Sequence, residues 1–418
     1  MINFEKFTLD NGLKVIVHND QSTPIVAFNI LYNVGSRDEN PGKTGFAHLF
    51  EHLMFEGSLN IPSYDHALQN VGGENNAFTS NDITNYFISL PKENVETAFW
   101  LESDRMLGLD LSEKKLEIQK NVVTEEFNQR YMNQPYGDAF LMLRALAYQV
   151  HPYRWPTIGK DMSHIKNASL NDVKDFFEHH YAPNNAIICI AGNVSAKEMK
   201  PLAEKWFGSI PKREIADKQL PQEPKQTQAR KQTVTRDVPF NGIYKAFHMS
   251  SKSEKDYYTT DLISDLLANG KSSRLYQNLV KERKLFGEIN AYITGDIDPG
   301  LFIVTGNLMD SVTMDEAEKA IDEELRQLAN GNFTDYEIEK VKNKYESVYQ
   351  FGQLSALNKA MNLSYFELLG DADLINHEIK KYRSVTRQEI KEVAKNLFNP
   401  NSSSSLYYLS KQLQHEPK

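Results

Sequence analysis

The polar and apolar positions follow two periods, and the change between them divides the chain into elements. Residues 5–9 and 13–18 alternate on either side of Asp10-Asn11-Gly12, which predicts a β-hairpin. Residues 25–32 are almost wholly apolar and predict a second, more buried strand. A polar loop over 35–44, carrying Pro41-Gly42, then delivers the chain into an apolar helical frame over 46–55. A second helix is predicted over 63–71, ended by Gly72-Gly73. Residues 74–80 and 83–90 read as extended, and 93–107 and 112–131 as helices. A further helical region follows Pro135 and ends at the loop 151–156. The tyrosine-rich stretch 406–409 reads as a final strand.

The segment 212–232 breaks this pattern. It is rich in Gln, Lys, Pro and Glu and poor in aromatic residues, which is linker composition. It separates an expected N-terminal domain, 1–211, from an expected C-terminal domain, 233–418. The two halves look like copies. Residues 169–184 align without a gap on 386–401, each an amphipathic helix with an N-terminal cap, a Pro-Asn turn and the start of a strand. A similar offset lays 261–270 on 48–57, where Asp261 falls on His48, Ser264 on Glu51 and Asp265 on His52.

Composition narrows the possible functions. The 418 residues are 40% hydrophobic and 25% charged, as in ordinary globular proteins of two or three domains. A net charge of −9 without a basic block argues against a general nucleic-acid or anionic-membrane binder. The single cysteine, Cys189, lies in an apolar run and reads as a small core residue. No stretch of 18 apolar residues is present, so membrane insertion is not expected. The N-terminus lacks a basic and then apolar leader. The chain as given therefore reads as cytoplasmic, or as periplasmic if a signal peptide has been removed.

The chemistry concentrates in the helical frame over 46–55. His48 and His52 are four residues apart, so on a helix both imidazoles lie on one face and can share a Zn²⁺ ion. Glu51 points to nearly the same side and is placed to take a proton from water at that metal. A catalytic zinc needs a third protein ligand. The helix around 119–130 offers Glu125 and Glu126, which point about 100° apart. Taking Val122 and Val123 as its core-facing stripe puts Glu126 on the buried side, where a carboxylate needs a cationic partner.

These residues carry a family resemblance over nearly the whole chain. Residues 45–57, containing His48-x-x-Glu51-His52, residues 72–80 (Gly-Gly-Glu-Asn-Asn-Ala-Phe-Thr-Ser) and 122–126 (Val-Val-Thr-Glu-Glu) follow the motifs of the M16 (pitrilysin, or inverzincin) zinc peptidases in order and spacing. The chain most resembles the short bacterial members. The resemblance implies an α+β fold of two homologous LuxS/MPP-like domains, each a mostly antiparallel sheet packed with helices, facing each other around a chamber. It implies one Zn²⁺ per chain held by His48, His52 and Glu126, Glu51 as the catalytic base, and Asn76 and Ala77 as contacts to a peptide substrate. The implied activity is metalloendopeptidase hydrolysis of peptides or unfolded segments. The alternative within the same fold is a non-catalytic scaffolding subunit.

Two departures from the family pattern stand out. A second acidic residue is common seven positions before the distal Glu, and here it is Gln119. Self-sufficient relatives also carry an Arg and a Tyr seven residues apart in the second half, where this chain has Val280 and Gly287. The chain therefore resembles the metal-bearing member of a pair, and a homologous partner chain, or a homodimer, is expected.

Overall fold

The computed structural model describes residues 1–215 and 218–414. Residues 216–217 of the expected linker and 415–418 of the expected second domain lie outside the described residues. Eleven strands are seen among the described residues. Those of the first sheet are β1 (Glu5–Thr8), β2 (Lys14–Asn19), β3 (Ile25–Tyr32), β4 (Glu74–Thr79), β5 (Thr84–Pro91) and β6 (Ala186–Gly192). Those of the second are β7 (Arg230–Arg236), β8 (Gly242–His248), β9 (Phe286–Ile293), β10 (Leu301–Leu308) and β11 (Ser403–Ser410).

The strand orders are β1-β2-β6-β3-β5-β4 and β7-β11-β8-β10-β9. Apart from the extra β1, the second sheet repeats the first strand for strand. The one parallel pair in each sheet is also equivalent, β2 with β6 and β7 with β11; the other pairs are antiparallel. Each sheet is thus mostly antiparallel, as expected, with one parallel pair. Matching elements precede the parallel strands. Helix Leu170–His180 starts with a capping box of Ser169 and Asp172, and helix Arg387–Leu397 with one of Thr386 and Glu389. Each is followed by a one-turn Pro-Asn helix and then by β6 or β11. Duplicated sequence has become duplicated topology.

Packing groups the chain into two compact units. One comprises Met1–Phe127, Trp155–Leu220 and Val348–Glu378; the other comprises Asn128–Arg154, Pro221–Ser347 and Ile379–Lys418. Each unit takes one complete α-helix from the other half of the sequence. Helix Ala356–Leu368 lays Ala360, Leu363 and Phe366 against Ile16, Ala27, Ile187, Cys189 and Ala191 of the first sheet. Asn29 on β3 donates to Ser364 on this helix at 3.1 Å, so a buried polar contact fixes its register. Helix Ala139–Ala147 lays Ala139, Leu143 and Ala147 against Tyr244, Ala246, Ile303, Leu406 and Tyr408 of the second sheet.

The stretch of linker composition is anchored within both units. In the first, Lys218 Nζ donates to the Asn33 carbonyl at 2.7 Å and to Asp38 at 2.9 Å. In the second, the Glu223 carboxylate accepts from the backbone N–H groups of Gln149, Val150 and His151 at 2.7–3.0 Å. Those donors hold its carboxyl below the usual range against the opposing effect of burial.

Several predicted elements change at their ends. The helix expected over 112–131 is α-helical over Glu113–Phe127 and widens into a π-helical turn over Asn128–Met132. The helix expected over 63–71 spans Tyr64–Gln69.

Candidate metal centre

Helix Phe46–Leu53 is built to present one face. Phe46, Ala47, Leu49, Phe50 and Leu53 are buried, and Phe50 packs its ring against Phe177 on helix Leu170–His180 and Tyr181 just past its end. His48, Glu51 and His52 are left on the open side. The helix begins at Gly45, which adopts a left-handed conformation (φ 89°). A Cβ there would lie 2.6 Å from the Ile158 carbonyl oxygen, so glycine is required on both counts.

No side chain close in sequence caps this helix. Glu39 reaches it instead from the preceding loop. Its Oε2 accepts from Gly45 N–H at 2.9 Å and its Oε1 from Ala47 N–H at 2.8 Å, while Trp155 Nε1 donates to Oε2 at 3.1 Å. The carboxyl is buried, and burial pushes it up to about 8 against the pull of these donors. Where the chain leaves the helix, Phe55 lies 5.4 Å from the Arg105 guanidinium, which also stacks on Tyr86 at 4.4 Å. Arg105 is itself paired with buried Glu102 at 2.6 and 2.7 Å. Both ends of the helix are therefore fixed by buried ionisable side chains contributed by other segments.

Glu126 lies near the end of helix Glu113–Phe127. Its Oε2 is 3.5 Å from His48 Nε2 and 3.5 Å from His52 Nε2. One donor atom from each of the three residues lies within 4.8 Å of the others. A tetrahedral zinc with bonds of about 2.1 Å sets neighbouring ligand atoms about 3.4 Å apart. Two nitrogens and a carboxylate oxygen at these separations fit that geometry and that metal's donor preference. The imidazoles are nearly perpendicular, with centroids 4.8 Å apart. All three side chains are half-buried, which gives a ligand set reachable from solvent rather than a sealed structural site. Among the described residues this is the one cluster of three or more His, Cys, Asp or Glu groups with metal-binding spacing.

The structure corrects one step that led to Glu126. Val123 is fully buried but Val122 is 43% exposed, so the two do not form one core-facing stripe. Glu126 reaches the histidines because it lies on the Val123 side of the helix, whereas Glu125 is exposed.

Glu51 Oε2 accepts from Thr79 Oγ1 at 2.5 Å, which joins the helix to the end of β4. The strand β4 is the outer strand of the first sheet, paired only with β5 among the described residues. Asn76 and Ala77 lie at its middle, and the Ala77 N–H is taken by the Asn76 side-chain oxygen at 2.8 Å. Local sequence pattern does not single out Thr79 or Glu39. The first lies within the 72–80 motif, and the second is six residues before Gly45 in the loop that feeds the helix.

The equivalents in the second half diverge. Asp261 and Asp265, at the positions of His48 and His52, lie on helix Asp256–Ala268. Asp261 accepts from Tyr382 at 2.5 Å and Asp265 from Asn269 at 2.5 Å. Val280 packs at the edge of the second unit's core and Gly287 lies on β9. The nearby Arg283 is paired with Glu323 at 3.0 Å, and Tyr292 packs against Phe140.

Residues 14–161 match the family described as Insulinase (Peptidase family M16), and residues 167–345 match the Peptidase M16 inactive domain. The chain is 30% identical over 411 residues to the zinc protease PqqE of Helicobacter pylori, covering 96% of this chain and 92% of that protein. It is 24% identical over 405 residues to the uncharacterized zinc protease YmxG of Bacillus subtilis, covering 96% and 97%. A crystal structure of a protease from Helicobacter pylori superimposes with a TM-score of 0.91 at 29% identity, over 98% of this chain and all of that one. The periplasmic protease PqqL of Escherichia coli shares the fold with a TM-score of 0.79 at 18% identity, over 99% of this chain and 48% of that one.

Proposed function

We propose, on the premise that this chain belongs to the M16 (insulinase) family of peptidases, that it is a zinc-dependent endopeptidase acting on peptides or unfolded segments. The observation that carries this reading is the meeting of His48, His52 and Glu126, with the Glu126 oxygen 3.5 Å from each imidazole and Glu51 on the same helix. His48, His52 and Glu126 would hold the ion. When bound, zinc lowers the pKa of water toward about 7 and polarises a carbonyl. Glu51 holds the attacking water, takes its proton as the peptide carbonyl is attacked, and passes that proton to the leaving amine. Thr79 keeps the Glu51 carboxylate oriented.

The outer edge of β4 is where an extended peptide would add as a further strand. Asn76 and Ala77 are then the contacts to its backbone, and the Asn76 oxygen yields the Ala77 N–H to the substrate. Among the described residues no helix is long and apolar enough to cross a membrane. The reading keeps the cytoplasm as the compartment; recovery of the chain in a periplasmic fraction would place it instead with PqqL, which is described as periplasmic.

The experiment is the substitution Glu51→Gln. It should leave one zinc per chain and abolish cleavage of an unstructured peptide. Cleavage at the wild-type rate would overturn the role of Glu51. Val280 and Gly287 occupy the positions of an Arg and a Tyr in self-sufficient relatives, and Arg283 and Tyr292 are engaged elsewhere. Losing a transition-state donor of this kind costs on the order of 10²–10³ in rate. Full activity therefore requires a homologous chain, supplied by a partner or by a second copy. Purified chain that reaches the rate of the mixed pair while remaining monomeric would contradict this.

A further inference from the structure

The two helices that carry the metal donors are held together by a second set of contacts, one turn beyond His52 on the first helix and two turns before Glu126 on the second. Glu56 lies four residues after His52, just past the end of its helix. Gln119 lies seven residues before Glu126, about 20° short of two full turns, and so on the same face of its helix. Gln119 Nε2 donates to Glu56 Oε1. One turn earlier, Lys115 Nζ donates to the Glu56 carbonyl oxygen at 2.8 Å and to Asp110 at 2.7 Å. The His52–Glu126 approach, the Glu56–Gln119 bond and the Lys115 contact thus form successive rungs between helices running in opposite directions.

We infer that Glu56 and Gln119 are positioning residues: a carboxylate on the histidine side and an amide on the glutamate side set the helix crossing that brings Glu126 to His48 and His52. The amide has a defined orientation. Its Nε2 meets the Glu56 carboxylate, while its Oε1 is buried and accepts no hydrogen bond among the described residues. Reversing it would turn a carbonyl oxygen toward a carboxylate, so the Glu56 charge selects the amide's direction. Gln119 is therefore not interchangeable with an acid here. With Glu56 in place, a carboxylate at 119 would meet a second carboxylate, and like charges in a half-buried contact repel. The arrangement tolerates one acid and one amide, in either order. Small displacements at this rung reach the metal because Glu126 is carried on the same rigid helix only two turns away. Supporting contacts of this kind typically change metal affinity 10–100-fold.

The inference rests on the zinc reading above, and one experiment separates the two. Zinc affinity of the metal-free full chain is measured at 25 °C by competition with a chromophoric chelator. Thermal unfolding of the metal-free protein is recorded alongside. For Glu56→Ala and Gln119→Glu, zinc binding should weaken about 10–100-fold at a temperature where both remain folded. The swapped double variant Glu56→Gln/Gln119→Glu should recover affinity to within about threefold of wild type, because it restores one acid and one amide. A purely structural contact would lower the unfolding temperature and leave the affinity of the folded chain unchanged, and that result overturns the inference. So does a double variant no better than Gln119→Glu alone, a comparison that holds even if Glu56→Ala fails to fold. Wild-type chain without measurable zinc affinity would overturn the zinc reading itself, and this inference with it.

Discussion

Replacing Glu39 with alanine removes the only acceptor that Gly45 N–H and Ala47 N–H have among the described residues. Trp155 Nε1 keeps a second partner, the Ser36 carbonyl at 3.0 Å, and so is not orphaned. Two buried backbone donors left without acceptors cost about 1–3 kcal/mol each. The expected loss is thus about 4 kcal/mol, or about 10 °C in unfolding temperature for a domain of this size. The assay is thermal unfolding of metal-free protein, which separates the cap from any effect of zinc. The loss should also depend on pH. Burial raises the Glu39 carboxyl to about 8, so the native chain keeps a proton that the unfolded chain releases near its ordinary value. The contribution of Glu39 is then fully present at low pH, and it is lost as pH rises through about 8. The gap between wild type and Glu39→Ala should be widest near pH 5 and should narrow toward pH 8. A gap under about 1 kcal/mol at pH 5 would show that the helix start is held by something else. A gap that widens with pH would show that the carboxylate, rather than the carboxyl, is the native form.

Two further substitutions test the packing of the individual units. Leu363→Ala opens a cavity where helix Ala356–Leu368 meets the first sheet; it should cost about 2–5 kcal/mol by denaturant unfolding. On helix Met314–Ala329, burial opposes ionisation of Glu318, but donors from Ser405, Tyr407, Lys245 and Lys231 on the second sheet outweigh it and hold the carboxyl at about 2. That contribution is present above about pH 4.5 and is lost as pH falls toward 2, so Glu318→Gln should cost about 3 kcal/mol at pH 7 and much less near pH 3. An unchanged acid-unfolding curve for Glu318→Gln would contradict this assignment.

The parts of the site that depend on local geometry were legible in the sequence. His48, Glu51 and His52 share a face because helical spacing puts them there, whatever surrounds the helix. The duplication was legible for the same reason. Ser169 to Asn184 and Thr386 to Asn401 repeat a cap, a turn and a strand start, and each repeat has become the same element beside an equivalent parallel strand. Contacts distant in sequence were not legible. Glu39 caps a helix whose first residue is seven positions downstream, through a loop whose path local propensity does not set. An amphipathic helix such as Ala356–Leu368 shows which face is buried but not which sheet buries it. This is why chain order alone did not reveal the exchange of helices between the halves. Val122 failed as a guide because apolar residues are common on exposed helix faces, and one exposed Val beside one buried Val gives a false stripe.

The central claim is that His48, His52 and Glu126 form one zinc site. Its most direct test is the zinc content of the purified full chain by mass spectrometry, for wild type and for His52→Ala, after dialysis against a weak chelator. The account expects one zinc per wild-type chain and less than a tenth of that in folded His52→Ala. Zinc-free wild type, or equal zinc in the two proteins, would contradict it.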